Sequence, residues 1–401
     1  MTRGASSARG PVPPGRCPQR EAEQETSVRP AVRVLVTMVA TVVAGVVVPP
    51  APGATAAPRA PGPAATLPVL KPAPLISRGR PVASFPPGGA AVVDGIYRRD
   101  AWAGLHPTPA KPSWVAIDLG TGPTRILVSW SSSGNHDYTD RLYGAPVDYT
   151  LETSADSTDG TNGTWRTAVT VTGNPVRTRA HALDFAGQRW VRLSVTALSP
   201  DVFRYGLFLD EVDVHDLSHG GDDVWVVFGD SIVSTVFDRA PEHQPSFPEL
   251  IASRYPGYFP AVIAAGIGSL HHHDAWTRID EVLALNPAAR VVVLSFGVND
   301  WDPAAYRRDL TEVILRVRAS GRIPLVPRIP FRTDGRVDYA GQLNDVVDAV
   351  TREQGLVPGP DLYDWFVTHP GQLTDGLHPD PEGSLETIRL WADAVAPLYR
   401  R

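Results

Sequence analysis

Cysteine is nearly absent: the chain of 401 residues contains one, Cys17. A lone thiol forms no internal disulfide and supplies no cysteine cluster for zinc. Lysine is almost missing too, Lys71 and Lys111 being the whole set. That skew toward arginine, with 40 prolines, reads as a property of genome composition and carries no function. Net charge is −6; residues 1–56 hold six Arg and three Glu, which leaves 31 basic and 40 acidic side chains in residues 57–401, a net −9. An acidic body of this kind argues against a nucleic-acid partner and against a polybasic membrane patch. Long apolar runs are missing with one exception, "VLVTMVATVVAGVVV" at 34–48, and its 15 residues fall short of the roughly 20 that a membrane span needs.

What surrounds that run explains it. Arg29 and Arg33 precede it, Pro49 and Pro50 follow, and Ala54 and Ala56 form an A-x-A exit. A basic flank, a short apolar core and small residues at the exit describe a secretory signal peptide. The expectation is export, with residues 1–56 as a polar extension plus signal peptide and no stable membrane insertion after cleavage. An anchor formed by the uncleaved segment is the alternative. The remainder, 43% hydrophobic and 20% charged over the whole chain, suits a soluble protein of two or three cores. No oligomer interface can be read from it.

Residues 57–81 are rich in Pro and Ala without periodicity and read as a linker. From 82 to 216 the texture is β: "SWVAIDLG", "TRILVSWS", "DYTLETSA", "TWRTAVTV" and "RWVRLSVTAL" are short runs of β-branched and aromatic residues broken by Gly, Pro, Asn and Asp. That pattern predicts an all-β, jelly-roll-like sandwich. Beyond Gly221 strands and helices alternate. Strands are predicted at 224–229, 261–265, 290–296, 322–327 and 356–362, and helices at 303–320, 340–354 and 382–398. In the first helix Tyr306, Leu310, Val313, Ile314 and Val317 share a face; in the second Leu343, Val346, Val347 and Val350 do, and Gly355 ends it. Alternation of this kind predicts an α/β fold over 222–401, a three-layer parallel sheet flanked by helices, with functional groups beyond the carboxyl ends of the strands.

The first predicted strand there ends in "FGDS" at 228–231. Ser231 is either a helix cap or a nucleophile, and the rest of the chain decides between them. Serine catalysis needs a histidine base, an orienting carboxylate and donors for the oxyanion. "LTDGLHPDPEG" at 373–383 offers Asp375 and His378 on one loop, with Pro379 keeping the histidine out of a helix. A solitary D-x-x-H is most often a surface turn. "SFGVND" at 295–300 adds the Asn299 amide at the end of another strand, and "AAGIGSLHHHD" at 264–274 adds two glycines after a third. Four such elements in this order are hard to obtain by accident. The three histidines at 271–273 invite a metal, but successive side chains point apart and no matched ligand spacing accompanies them. They are expected to line the cleft, and neither metal nor cofactor is expected.

The order of these blocks resembles the SGNH (GDSL-type) hydrolase family over about 222–400. That resemblance implies Ser231 as nucleophile, Asp375 and His378 as its partners, and an oxyanion hole made by the N–H groups of Ser231 and Gly268 with the Asn299 side chain. The second block departs from the family pattern, with Ala264 at its Asn position and Ser269 at its last Gly, so Ser269 competes with Gly268 as donor. Residues 82–216 resemble discoidin-like, galactose-binding-fold modules. Trp114, Trp130 and Trp190 are expected in that core, while Tyr97, Trp102 and the loop 132–144 are expected to face carbohydrate. The combined expectation is a secreted serine ester hydrolase acting on an ester-bearing polysaccharide or a small ester, removing acetyl or another short acyl group. A lipase or general short-chain esterase, and a carbohydrate-binding protein with an inactive hydrolase half, are the alternatives.

Overall fold

The computed structural model describes residues 68–96, 102–104, 106–132, 144–199, 206–237 and 244–400. The apolar run at 34–48, Tyr97 and most of the loop 132–144 lie outside them. Among the described residues no helix is long and apolar enough to cross a membrane.

Ten strands come first: β1 (Val82–Phe85), β2 (Trp102–Gly104), β3 (Ser113–Asp118), β4 (Arg125–Ser131), β5 (Pro146–Ser154), β6 (Arg166–Val171), β7 (Thr178–Asp184), β8 (Trp190–Leu198), β9 (Leu207–Leu209) and β10 (Glu211–Asp216). They form antiparallel sheets ordered β1-β3-β8-β5-β6 and β10-β4-β7, plus a β2-β9 pair. Period-two alternation turns Val115, Ile117, Leu151, Leu193 and Val195 of the first sheet and Ile126, Val128, Val212 and Val214 of the second into one buried cluster. Trp130 and Trp190 are buried, while Trp114 is half-buried beneath the Arg192 guanidinium.

The expectation for Trp102 fails. It is 4% exposed, because pairing of β2 with β9 turns the indole into that same cluster. Its Nε1 donates to the Pro86 carbonyl at 3.1 Å, which satisfies the polar tip of an otherwise apolar ring.

The second half alternates as its sequence requires: β11 (Val224–Gly229), α1 (Ser231–Val236), α2 (Phe247–Arg254), β12 (Ala261–Gly266), α3 (His272–Leu285), β13 (Val291–Ser295), α4 (Pro303–Ala319), β14 (Ile323–Arg328), α5 (Ala340–Gln354), β15 (Pro358–Asp361), α6 (Leu362–Thr368) and α7 (Pro381–Ala394). The five strands pair in parallel in the order β12-β11-β13-β14-β15. All six residues of β11 are buried, as a central strand covered on both faces must be. The order places the end of β11 between the ends of β12 and β13, with Gly229 opposite both Gly266 and Ser295.

The described part of the proline-rich segment packs against both halves. Leu70 N donates to Leu398 O at 2.8 Å and Ile76 N to Val214 O at 2.8 Å. Leu70, Leu127, Ala180 and Leu217 share a buried cluster with the β11 residues Val224–Phe228.

Candidate active site

The turn after β11 needs glycine for space: a Cβ on Gly229 would lie 2.3 Å from the Ser295 carbonyl oxygen. Asp230, not Ser231, is the N-cap of α1, its Oδ1 accepting from Ile232 N at 2.9 Å. Burial, with Asp300 nearby adding to it, pushes the Asp230 carboxyl up to about 7 despite that donor. Capping therefore leaves the Ser231 hydroxyl unused, and Ser231 opens the helix at the sheet edge.

That hydroxyl meets His378. Ser231 Oγ and His378 Nε2 are 2.8 Å apart across 147 residues of chain. On the far side of the ring His378 Nδ1 donates to Asp375 Oδ2 at 2.7 Å. The other carboxylate oxygen, Oδ1, accepts from His378 N at 2.8 Å and Leu377 N at 3.1 Å. Burial raises the Asp375 carboxyl, but these donors and the imidazole outweigh it and hold it at about 2. The loop closes on itself through Thr374 N donating to His378 O at 2.8 Å. It is fastened to the segment after β14 at Gly376, whose φ is 78° and whose Cβ, if present, would sit 2.6 Å from Asp334 N.

On the turn after β13, the strand next to β11, the Asn299 amide donates to Leu270 O at 3.0 Å, which uses one of its two hydrogens. The loop after β12 holds the one non-glycine residue with positive φ among the described residues, Ser269 at 63°. It stands where the family pattern has glycine, so the turn keeps its left-handed geometry and carries about 1–2 kcal/mol of backbone strain. Neither Gly268 N nor Ser269 N meets an acceptor among the described residues, and the backbone therefore leaves both amides free.

The structure thus brings Ser231, His378 and Asp375 into one hydrogen-bonded chain, with Asn299 and the 267–270 loop on the turns that follow the two strands flanking β11. Tyr97 lies outside the described residues, and Trp102 belongs to the N-terminal core. A residue that sequence patterning missed is Trp301: it is 62% exposed, directly follows Asn299-Asp300, and its ring lies edge-to-face with His271 at 5.4 Å. Its position directly after "SFGVND" at 295–300 was the available signal. The three histidines are engaged with carboxylates, His271 and His272 with Asp300 and His273 with Asp309.

A serine–imidazole–carboxylate chain at the carboxyl edge of a parallel sheet defines the α/β half as a hydrolase domain. Residues 227–384 match the GDSL-like Lipase/Acylhydrolase family, so this half carries a domain of that family. Among solved structures the chain is similar to a lipase/acylhydrolase from Enterococcus faecalis, at 24% identity over 43% of this chain and 94% of that one, with a TM-score of 0.37. It is similar to the acetylxylan esterase Axe2 from Geobacillus stearothermophilus, at 18% identity over 44% and 97% of the two chains, TM-score 0.38. A Bacillus subtilis protein is matched over 71% of this chain and 80% of its own, at 15% identity and a TM-score of 0.41. Among curated proteins none matches this chain.

Proposed function

We propose that this protein is an exported serine ester hydrolase that removes acetyl or another short acyl group from a polysaccharide. The observation that carries the hydrolase reading is the unbroken contact from Ser231 Oγ through the His378 ring to Asp375. In this scheme Ser231 Oγ attacks the ester carbonyl carbon while His378 Nε2 takes its proton. The carbonyl π electrons move to oxygen, and the oxyanion is met by Ser231 N–H, by Gly268 or Ser269 N–H, and by the second Asn299 Nδ2 hydrogen. Each donor of this kind is worth about 3 kcal/mol of barrier. The imidazolium then protonates the departing alkoxide, leaving an acyl-Ser231 ester, and water activated by the same imidazole hydrolyses it. Asp375 keeps Nδ1 protonated, so that Nε2 faces the serine as a base.

The substrate class is a further step. Trp301 gives the rim beside Asn299 one flat apolar face among polar neighbours, including exposed Ser269, His273 and Asp302. A pyranose ring offers the matching surface, an apolar face edged by hydroxyls. A long alkyl chain needs a contiguous apolar groove, and among the described residues the loops after β12 and β13 expose no other large hydrophobic side chain. Resemblance of the N-terminal half to carbohydrate-associated modules supports the same reading, as does the apolar run at 34–48 for export.

The test is acetate release from acetylated polysaccharides and from p-nitrophenyl acetate by the purified protein and by Ser231→Ala. Turnover that vanishes in the variant is expected, with the polymer preferred over fatty-acyl esters. Equal activity in both proteins refutes Ser231 as nucleophile, and a preference for long acyl chains refutes the polysaccharide.

A further inference from the structure

The three consecutive histidines belong to a network that the reaction scheme leaves unused. Asp300 is 5% exposed and Asp309 2% exposed, and the His272 ring lies between them. His272 Nδ1 donates to Asp300 Oδ1 at 2.6 Å, and His272 Nε2 is 3.3 Å from Asp309 Oδ2. Asp300 also accepts from the His272 main-chain N–H, 3.2 Å from Oδ2, and from His271 Nδ1 at 3.2 Å. Asp309 accepts from Arg308 Nε at 2.8 Å and His273 Nδ1 at 3.1 Å. Burial raises the Asp309 carboxyl, but His273, Arg308 and His272 outweigh it and hold it below the usual range. The Tyr306 ring packs across His272 at 5.5 Å, and its hydroxyl donates to Phe296 O at 3.0 Å, just before the Gly297 turn.

These contacts join three elements. Asp300 lies on the turn after β13, His272 opens α3, and Asp309 belongs to α4. Two buried carboxylates facing one ring are costly unless both nitrogens present hydrogens to them, so the arrangement tolerates little displacement. Leu270, two residues before His272, supplies the carbonyl that takes one Asn299 hydrogen at 3.0 Å. An amide group is planar. Once one N–H is committed to Leu270 O, the direction of the other follows from where that carbonyl stands.

We propose that His272, clamped between Asp300 and Asp309, is a positioning residue for the oxyanion hole, holding the first turn of α3 so that the free Asn299 N–H points at the developing oxyanion. The proposal rests on the ester-hydrolase reading and on Asn299 as a donor. His272 touches neither substrate nor Ser231 in this scheme and acts through Leu270 and Asn299. A network serving only to staple α3 to α4 would affect melting temperature and leave kcat alone.

The experiment compares wild type, His272→Phe and Asp309→Asn on p-nitrophenyl acetate. It also measures inhibition by a trifluoromethyl ketone, whose hemiketal with Ser231 places an oxyanion in the hole. Misaimed donors cost about tenfold to a hundredfold. The expected result is a fall in kcat of about tenfold in each variant with KM unchanged, and inhibitor affinity weakened by a similar factor. Asp309→Asn removes a charge and leaves the ring's shape in place, so it reports even where His272→Phe fails to fold. Folded variants with unchanged kcat and inhibitor affinity, whatever their melting temperatures, overturn the proposal. An inactive wild type is a separate result: it removes the hydrolase reading, and this inference with it.

Discussion

Replacing Asp375 by Asn should harm the enzyme more than replacing it by Ala, and the geometry says why. Asp375 Oδ1 is pinned by two main-chain N–H groups, from His378 at 2.8 Å and Leu377 at 3.1 Å. An amide at this position keeps those bonds only by placing its oxygen there, which turns its NH2 toward His378 Nδ1. Two N–H groups cannot face one another, so the imidazole must shift its proton to Nε2, where it meets Ser231 Oγ as a donor and no longer as a base. Loss of the productive tautomer costs about 10⁴-fold in triads of this type. In Asp375→Ala the ring is free to hold either tautomer and water fills the gap, so what is lost is one charge-assisted hydrogen bond of about 1.5–3 kcal/mol. With the carboxylate side chain 56% exposed, solvent screening places the loss toward the lower end, or about ten- to thirtyfold in rate. The measurement is kcat/KM on p-nitrophenyl acetate for the three proteins. An Asn variant as active as the Ala variant, or more so, would refute the role assigned to the Oδ1 donors.

Three other perturbations test the same geometry. Because Asp375 is held ionised down to about 2, its depressed value makes it a carboxylate at every pH above that. The Asp375 carboxyl should therefore add no proton to the acid limb of kcat/KM between about pH 4 and 7, so Asp375→Ala should leave the number of protons in that limb unchanged, and a variant limb that loses one would contradict this. Gly376→Ala forces a side chain onto φ 78° and within 2.6 Å of Asp334 N; a stability loss of about 1–3 kcal/mol and a fall in kcat are expected by thermal melt and kinetics, and wild-type values for both would be the counter-result. Burial raises the carboxyls of Asp213, Asp223 and Asp230 to about 7, against Arg78 at Asp213, the Trp225 and Tyr399 donors at Asp223, and the Ile232 N–H at Asp230. A folded state that binds these protons more tightly than the unfolded chain loses stability as pH rises from about 4 through 7. The melting temperature should be higher at pH 5 than at pH 8, and the reverse order would be inconsistent with these buried acids.

Local pattern carried much of the α/β half. Tyr306, Leu310, Val313, Ile314 and Val317 at helical spacing do form the buried face of α4, and Gly355 does take the left-handed cap of α5, with φ 57°. The predicted strand at 356–362 shortens to Pro358–Asp361, and the last predicted helix stops at Ala394 before a short 3-10 turn. What local pattern could not supply are facts of tertiary contact. Trp102 was expected to face carbohydrate, but the β2–β9 pairing that buries it joins residues more than a hundred positions apart. The histidines at 271–273 could be seen to point apart. Which carboxylates would receive them depended on Asp300 and Asp309, supplied by elements that come later in the chain.

The relation between the two halves is also a matter of contact. β12 is an edge strand of the parallel sheet, and an unpaired edge is a hazard in any sheet protein. Here the edge is met by β7 and the residue before it: Thr178 Oγ1 donates to Ala264 O at 3.0 Å and Arg177 Nη2 to Gly266 O at 3.2 Å. Gly266 is the last residue of β12, and the loop that follows carries Gly268 and Ser269. The N-terminal half therefore satisfies carbonyls on the strand that leads into this loop, while Leu127 and Ala180 sit in the same buried cluster as the β11 residues Val226 and Val227. A module tethered only by a flexible linker would leave those carbonyls to water and that cluster open. The contacts make the N-terminal half part of what holds the end of β12 and the 267–270 loop in place.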